Sequence, residues 1–338
     1  MSTSISTFSE RSLANIAAGN IRSRSFDHVG KDLKEATSPE QALALVGADF
    51  KVGQTAMFSF CKTSESQVIP GTECHATKID SHKVMWRLDE HGKPQLPLGV
   101  VGKGWTPRQP RDAVADLALF AGQGAEFDRG FLTSDSTRLY MRMKVAEAKI
   151  LGDDMMGYCT LIDGYDGGTG LTLMDEIFRE ACKNGLVQLV QGSRSLRRKH
   201  TKGIGFTREA VMALMNSVRQ NLAALAELAN TTVNIHLTEA RWQGMVHTLL
   251  PFPAEATDKA RQVVEEQRAL LTRLIDVPDL ANFNRSGWAA LNAVSDFTSH
   301  LGTSQRMGNV DNQVRKLYEV SDSNPMLTQA RELVLALN

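Results

Sequence analysis

The 338-residue chain is predicted to adopt an α+β fold, with a sheet-bearing first half and a mostly helical second half. Three observations predict this. Between Phe50 and about Leu189, apolar and polar residues alternate in short runs broken by Gly and Pro, which is the period of strands. After Arg208 the apolar residues recur at helical spacing almost to the end. With 42% hydrophobic and 22% charged residues, the composition is that of a globular protein able to bury one large core or two modest ones. The expected organisation is a partly ordered segment over 1–34, an α+β core domain over 35–190, a basic loop over 191–206 and a helical region over 207–338.

The Ser-rich opening is followed by "SPEQALALVGADF", which carries a helix start: Ser38 caps, Pro39 suits the first position and Gln41 completes a capping box. Gly47 would close that helix. "KVGQTAMFSFCKT", "ECHATKIDSHKVMWRLD" and "QLPLGVVGKGW" then alternate as strands, with "DEHGKP" as a hairpin turn. "RDAVADLALFAGQG" returns to helix through Val114, Leu117 and Phe120. "FDRGFLTSDSTRLYMRMKV" predicts a hairpin about "TSDS", and "GYCTLIDGYDGG" a further strand and a glycine-rich turn. "LMDEIFREACKNGLV" predicts a helix containing Ile177 and Ala181. The middle of the chain therefore reads β-β-β-α, over about 128–186.

The helical half shows an apolar stripe of Val211, Leu214, Met215, Val218, Leu222 and Leu225. A second stripe runs through Val263, Val264, Leu270, Leu271 and Leu274, and a third through Trp288, Leu291, Val294 and Phe297. A last helix closes near Leu337.

Several function classes are excluded or weakened by absence. There is no G-x-x-x-x-G-K-[ST] loop, no G-x-S-x-G elbow, no H-E-x-x-H and no C-x-x-C pair. No cofactor is expected. The four cysteines are few and widely spaced, which fits reduced thiols. No apolar run approaches the roughly 18–20 residues of a membrane span, and the opening lacks the apolar stretch of a signal peptide. A soluble, cytoplasmic protein is expected.

Cys61, Cys74, His75 and His82 lie near one another in sequence, but their spacing fits no standard metal site, and the preferred reading is strand-surface residues. Asp163 and Asp166 in "DGYDGG" are the best candidates for acid–base or metal chemistry, against the simpler reading that turns need Asp and Gly. No catalytic residue or metal ligand is assigned.

The strongest local signal is "QGSRSLRRKHTKG", which starts at Gln191. From Ala181 to Arg208 there are seven basic residues and no acidic one, although the whole chain balances 38 basic against 38 acidic side chains. Arg194, Arg197, Arg198, Lys199, His200 and Lys202 form the candidate phosphate-binding set, because neutralising phosphates releases counterions and Arg can pair with them bidentately. The alternative is a solvated loop facing an acidic neighbour. "RLYMRMK" puts Arg138, Tyr140, Arg142 and Lys144 on one strand face by period two, extending the candidate groove.

Several of these segments, taken in order, resemble a family of phage- and plasmid-related proteins classed as a domain of unknown function, DUF932. The segments are "SPEQALALVGADFKV", "LPLGVVGKGWTP", "DGYDGGTGLTLMDEIFREACKNGL", "RKHTKG" and "WAALNAVSDFTSH". Trp105 stands where the family usually has Tyr, Gln109 lies near an expected Gln, and Tyr165 replaces a His. Arg179 and Cys182 match an Arg and a Cys, and Lys199 is an insertion before a His-Thr pair. The resemblance implies a protein of a mobile element. A second likeness, at the level of architecture alone, is to phage single-strand annealing proteins, which share a β-β-β-α core with a basic groove and need no nucleotide.

The function expected from these observations is single-stranded DNA binding and strand annealing in recombination, by a homo-oligomeric ring or filament and without covalent catalysis. The first alternative is a metal-dependent enzyme acting on nucleic acid or nucleotides through Asp163, Asp166 and His200. The second is a host-interaction protein that binds no nucleic acid.

Overall fold

The computed structural model describes residues 30–61, 67–68, 75–180, 184–186, 189–190, 195–301 and 323–337. Strand β1 (Lys31–Asp32) leads into helix α1 (Pro39–Leu45), which starts as its sequence predicts. Ser38 accepts the Gln41 N–H at 3.2 Å, and Pro39 occupies the first turn. Gln41 reaches past the cap, its Oε1 accepting the Thr37 N–H at 2.8 Å. Gly47, at φ +76°, ends the element in a conformation that favours glycine.

Strands β2 (Lys51–Cys61), β3 (Gln67–Val68), β4 (His75–Leu88) and β5 (Pro94–Gly102) build a four-stranded antiparallel sheet in which β4 is central. The "DEHGKP" turn is held by Asp89, whose Oδ1 accepts the N–H groups of His91 and Lys93 at 2.9 and 2.7 Å. One 3₁₀ turn (Pro110–Asp112) then opens α2 (Ala113–Ala121), which buries Ala113, Asp116, Leu117 and Phe120.

The second sheet follows: β6 (Glu126–Leu132), β7 (Arg138–Ile150), β8 (Asp153–Gly164), β9 (Leu171–Arg179), β10 (Asn184–Gly185) and β11 (Ser195–Arg198). Together with β1 it has seven antiparallel strands in the order β1-β6-β7-β8-β9-β10, and β11 also pairs with β9. The predicted hairpin about "TSDS" is the β6–β7 connection.

Helices α3 (Arg208–Thr232), α4 (Glu239–Leu249), α5 (Asp258–Leu274), α6 (Gly287–Asp296) and α7 (Pro325–Leu335) complete the α+β fold. Thr207, Thr238, Thr257 and Ser286 cap the first four through their side-chain oxygens. Among the described residues no helix is long and apolar enough to cross a membrane.

The helix expected over "LMDEIFREACKNGLV" is overturned, because residues 171–179 form β9. All nine are buried, so the alternation that marks a one-sided strand is absent. Asp175 and Glu176 resemble surface helix positions in sequence, but the fold internalises both. Asp175 accepts hydrogen bonds from Asn221 Nδ2 at 2.8 Å and Ser217 Oγ at 3.3 Å, and Glu176 accepts one from Thr160. The helix that covers the strands is α3, whose predicted stripe is buried from Val211 to Leu225. The stripe of α5 is narrower than expected, since Val263 is 40% exposed.

Arg179 ties the sheet to the helical half. It donates to Asp153 at 2.7 Å and to Asp279 Oδ2 and O at 2.9 and 2.8 Å, with its guanidinium over the Phe283 ring.

Helix α3 lies close to β8 at Gly157. A Cβ there would sit 2.4 Å from Val218 Cγ1 and 3.1 Å from Leu222 Cδ1. Gly157→Ala is expected to lower stability by about 1–3 kcal/mol through overpacking, read as a lower urea midpoint. An unchanged midpoint would mean that α3 can lift from the sheet without penalty.

Candidate nucleic-acid interface

The basic run begins on a sheet edge. β11 pairs with the outer edge of β9, Ser195 opposite Met174 and Arg198 opposite Leu171. Leu196 turns inward against the core, and Arg198 on the same side places its guanidinium 5.4 Å from the Phe206 ring centroid. Arg197, Arg198, Lys199, Thr201, Lys202 and Gly203 are exposed, and His200 is buried. No carboxylate among the described residues pairs with Arg198, Lys199 or Lys202. Arg194 lies outside the described residues.

A buried polar cluster pins the inner side of this run. The His200 ring stacks on Trp105 at 4.7 Å between centroids, and its carbonyl accepts the Thr106 N–H at 3.0 Å. Its Nε2 lies 3.4 Å from Asp163 Oδ1. Arg108 donates from Nη1 to Asp163 at 2.5 Å and from Nη2 to Asp116. Asp116 also accepts the Phe206 N–H at 3.1 Å, which fixes the chain just beyond the basic turn. Tyr165 is held by its N–H, which donates to the Thr137 carbonyl at 2.8 Å, and its ring meets Phe50 edge-on at 5.7 Å.

Arg108, Asp163, Tyr165 and His200 are 0–3% exposed. Burial raises the Asp163 pKa to about 6 against the opposing charge of Arg108. Burial, and then the repulsion of Arg108, lowers His200 to about 4. Burial also keeps the Tyr165 hydroxyl protonated. Arg108 Nε, Asp163 Oδ1, the Tyr165 hydroxyl and both His200 ring nitrogens have no hydrogen-bond partner among the described residues. Both groups are buried, Asp163 at 0% and His200 at 3% exposure.

The other half of the expected groove is corrected. Arg138, Tyr140, Arg142 and Lys144 do share one face of β7, but that face is largely buried. Tyr140 and Arg142 are each 3% exposed. Tyr140 packs with Tyr158, Ile162, Met174 and Phe178. Arg142 pairs with Asp128 at 2.6 Å and lies 4.3 Å from the Tyr158 ring centroid. Lys144 pairs with Glu147 at 2.7 Å, and Arg138 with Asp166 at 3.5 Å.

These cations are therefore structural partners of carboxylates and rings, which is why a sheet face can carry them in register. His200 is likewise buried, against Trp105 and Thr106, and does not share the exposure of the basic residues around it. Asp163 and Asp166 do not form a joint acidic site, because Asp166 accepts the Gly168 N–H at 2.8 Å and faces Arg138. Among the described residues no three His, Cys, Asp or Glu side chains are placed to share a metal ion. Cys74 lies outside the described residues.

Arg108 and Asp116 were not among the sequence candidates. One signal was available: Asp116 falls within the inward stripe Ala113-Leu117-Phe120, and a carboxylate buried on a helix calls for a buried cation.

Arg108→Ala would leave Asp163 and Asp116 buried without their counter-charge, and should destabilise by about 3–5 kcal/mol in urea unfolding. The pH dependence has a definite sign. His200 titrates near 4 when folded against 6.5 when exposed, so stability is lost as pH falls below about 6.5. Asp163 titrates near 6 against 3.8, so its contribution is present below 3.8 and is lost as pH rises through 6. The two slopes oppose one another between pH 4 and 6. His200→Asn removes the first, so its urea midpoint relative to wild type should rise on acidification from pH 6.5 to 4. Parallel profiles would show that His200 is not buried neutral.

No curated protein and no solved structure matches the chain. A family-model match begins within β5 and takes in the Arg108 cluster, the basic edge and α3 to α6. It is to the family model described as Domain of unknown function (DUF932), over residues 97–321, and the chain belongs to that family.

Proposed function

We propose that the chain binds single-stranded DNA through its phosphate backbone along β11 and the turn that follows, and uses that grip to bring complementary strands together. The observation that carries this is the exposed run Arg197-Arg198-Lys199 with Lys202, free of acidic residues in sequence, which starts on β11, paired to β9, and continues into the turn that follows. Charges fixed on a scaffold bind a polyanion at a smaller ordering cost than charges on a free loop. Each phosphate neutralised releases counterions, so affinity comes without nucleotide hydrolysis. Backbone contacts leave the bases exposed for pairing, and alignment of strands replaces covalent catalysis. The motif resemblance adds the setting, a mobile element, and assembly into a ring or filament would extend the track from one subunit to the next.

A covalent reading through Asp163 and Asp166 has less support, because Asp163 is 0% exposed and Asp166 is engaged by Arg138 and the Gly168 N–H.

Fluorescence anisotropy of a labelled single-stranded oligonucleotide across a salt series tests the proposal. Wild type should show log affinity falling linearly with log salt. Arg197→Ala/Lys199→Ala/Lys202→Ala should flatten the slope by about 2, at roughly 0.7 per phosphate contact on a single strand. Complementary oligonucleotides should then anneal faster with wild type than with the variant. Absence of binding at low salt would sink the proposal and turn attention to a protein partner for the same charges.

A further inference from the structure

We infer that the arm formed by β2 and β4 is a base-stacking element for the same single strand, with Phe58 and Phe60 as its platforms. This rests on the single-strand reading above and adds a site that lies before the family-matched span.

Two large aromatic side chains stand in solvent here: Phe58 is 46% exposed and Phe60 is 62% exposed. Both belong to the outer part of β2, beyond the register shift at Ala56/Met57 where the β2–β4 pairing loses its regularity. Being two residues apart on one strand they share a face, and their cross-strand neighbours are Lys78 and Ala76. Toward the root of the arm, Lys83 lies opposite Ala56. Lys78, His82, Lys83 and Lys103 line a shallow cavity of about 300 Å³ in which the acidic side chain is Asp80, paired with Lys78 at 2.8 Å. Lys78 thus stands across from Phe58, and in the cavity it shares with Lys83 and Lys103 the lysines outnumber the one carboxylate; rings beside cations are the pattern that binds a flexible polyanion bearing flat bases.

The fold also connects this face to the basic edge. The Lys103 N–H donates to the Ser81 carbonyl at 2.9 Å, so Lys103 sits at the root of the arm. Two residues on, Trp105 stacks on His200, and the Thr106 N–H holds the His200 carbonyl. The turn that carries Lys199 and Lys202 is therefore hydrogen-bonded, through His200 and Thr106, to the segment that leaves β5 by way of Lys103. A backbone gripped along β11 can pass Lys103 and deliver its bases to Phe58 and Phe60. A duplex keeps its bases stacked within the helix and offers the rings no face, so the arm selects single strands.

The test uses the full chain and an oligothymidylate carrying one 2-aminopurine, against wild type, Phe58→Ala/Phe60→Ala and Phe58→Trp/Phe60→Trp. Both positions are exposed, so circular dichroism of the variants should match wild type. The double Ala variant is expected to bind at least ~10-fold more weakly, to keep the wild-type salt slope, and to lose the change in 2-aminopurine emission on binding. The Trp variant should restore affinity and show quenched indole emission.

If wild type binds with a slope set by Arg197, Lys199 and Lys202 while the Ala variant keeps its affinity and emission change, the arm is not a stacking site and the edge reading survives. If wild type binds no oligonucleotide, both readings fall. If the Ala variant changes only the sedimentation mass of the protein, the rings belong to a contact between copies, and the stacking proposal is overturned.

Discussion

Arg108 carries a permanent charge into the interior, where two carboxylates from separate elements meet it: Asp163 at the end of β8 and Asp116 on α2. None of the three charges could be left alone at that depth, because an unpaired buried ion costs several kcal/mol. The pairing therefore obliges β8, α2 and the 103–109 segment to arrive together. Gln109, next to Arg108, grips the first sheet by accepting the Val52 N–H at 2.8 Å and donating to the Val52 carbonyl at 2.9 Å. Asp116 also takes the Phe206 N–H, so the end of the basic turn depends on the same cluster. The two sheets and the start of the helical half thus converge on one guanidinium.

The same rule explains how a chain of zero formal net charge comes to have a cationic edge. Cations that enter the core do so with a carboxylate and often a ring: Arg142 with Asp128 and Tyr158, and Arg179 with Asp153, Asp279 and Phe283. Those charges cancel locally and project little field. Among the described residues, charge at the β11 edge is not cancelled that way for Arg198, Lys199 and Lys202, and field follows clustering more than the sum. Lysine and arginine on an edge strand also discourage unwanted strand pairing, so the charges protect the fold while remaining available to a polyanion. His200 sits among them buried, its ring stacked on Trp105 and its carbonyl accepting the Thr106 N–H, while pairing with β9 holds the four-residue strand before it.

Much of the fold was legible in the sequence where a local pattern has a local cause. The Ser38–Pro39–Gln41 start, the Asp89 turn and the stripe of α3 each depend on residues a few positions apart, and their chemistry is settled within one element. Legibility ended where burial on two sides removed the pattern. β9 has all nine residues buried, and its Asp175 and Glu176 find partners 46 and 16 positions away. No window around them could show that Asn221 and Thr160 would arrive. The face of β7 failed for the same reason: period two placed Arg138, Tyr140, Arg142 and Lys144 together correctly, but exposure is decided by what packs on top.

By itself, the amino-acid sequence determined the α+β class, the helical second half and the clustering of basic residues before α3, because composition and periodicity are properties of neighbouring residues. Tertiary structure alone decided which cations remain in solvent. It paired Arg108, Arg142 and Arg179 with distant carboxylates, stacked His200 on Trp105, and left Lys199 and Lys202 outside with Phe58 and Phe60 exposed on the arm. Burying a charge requires a partner in space, and position along the chain does not say where that partner will be.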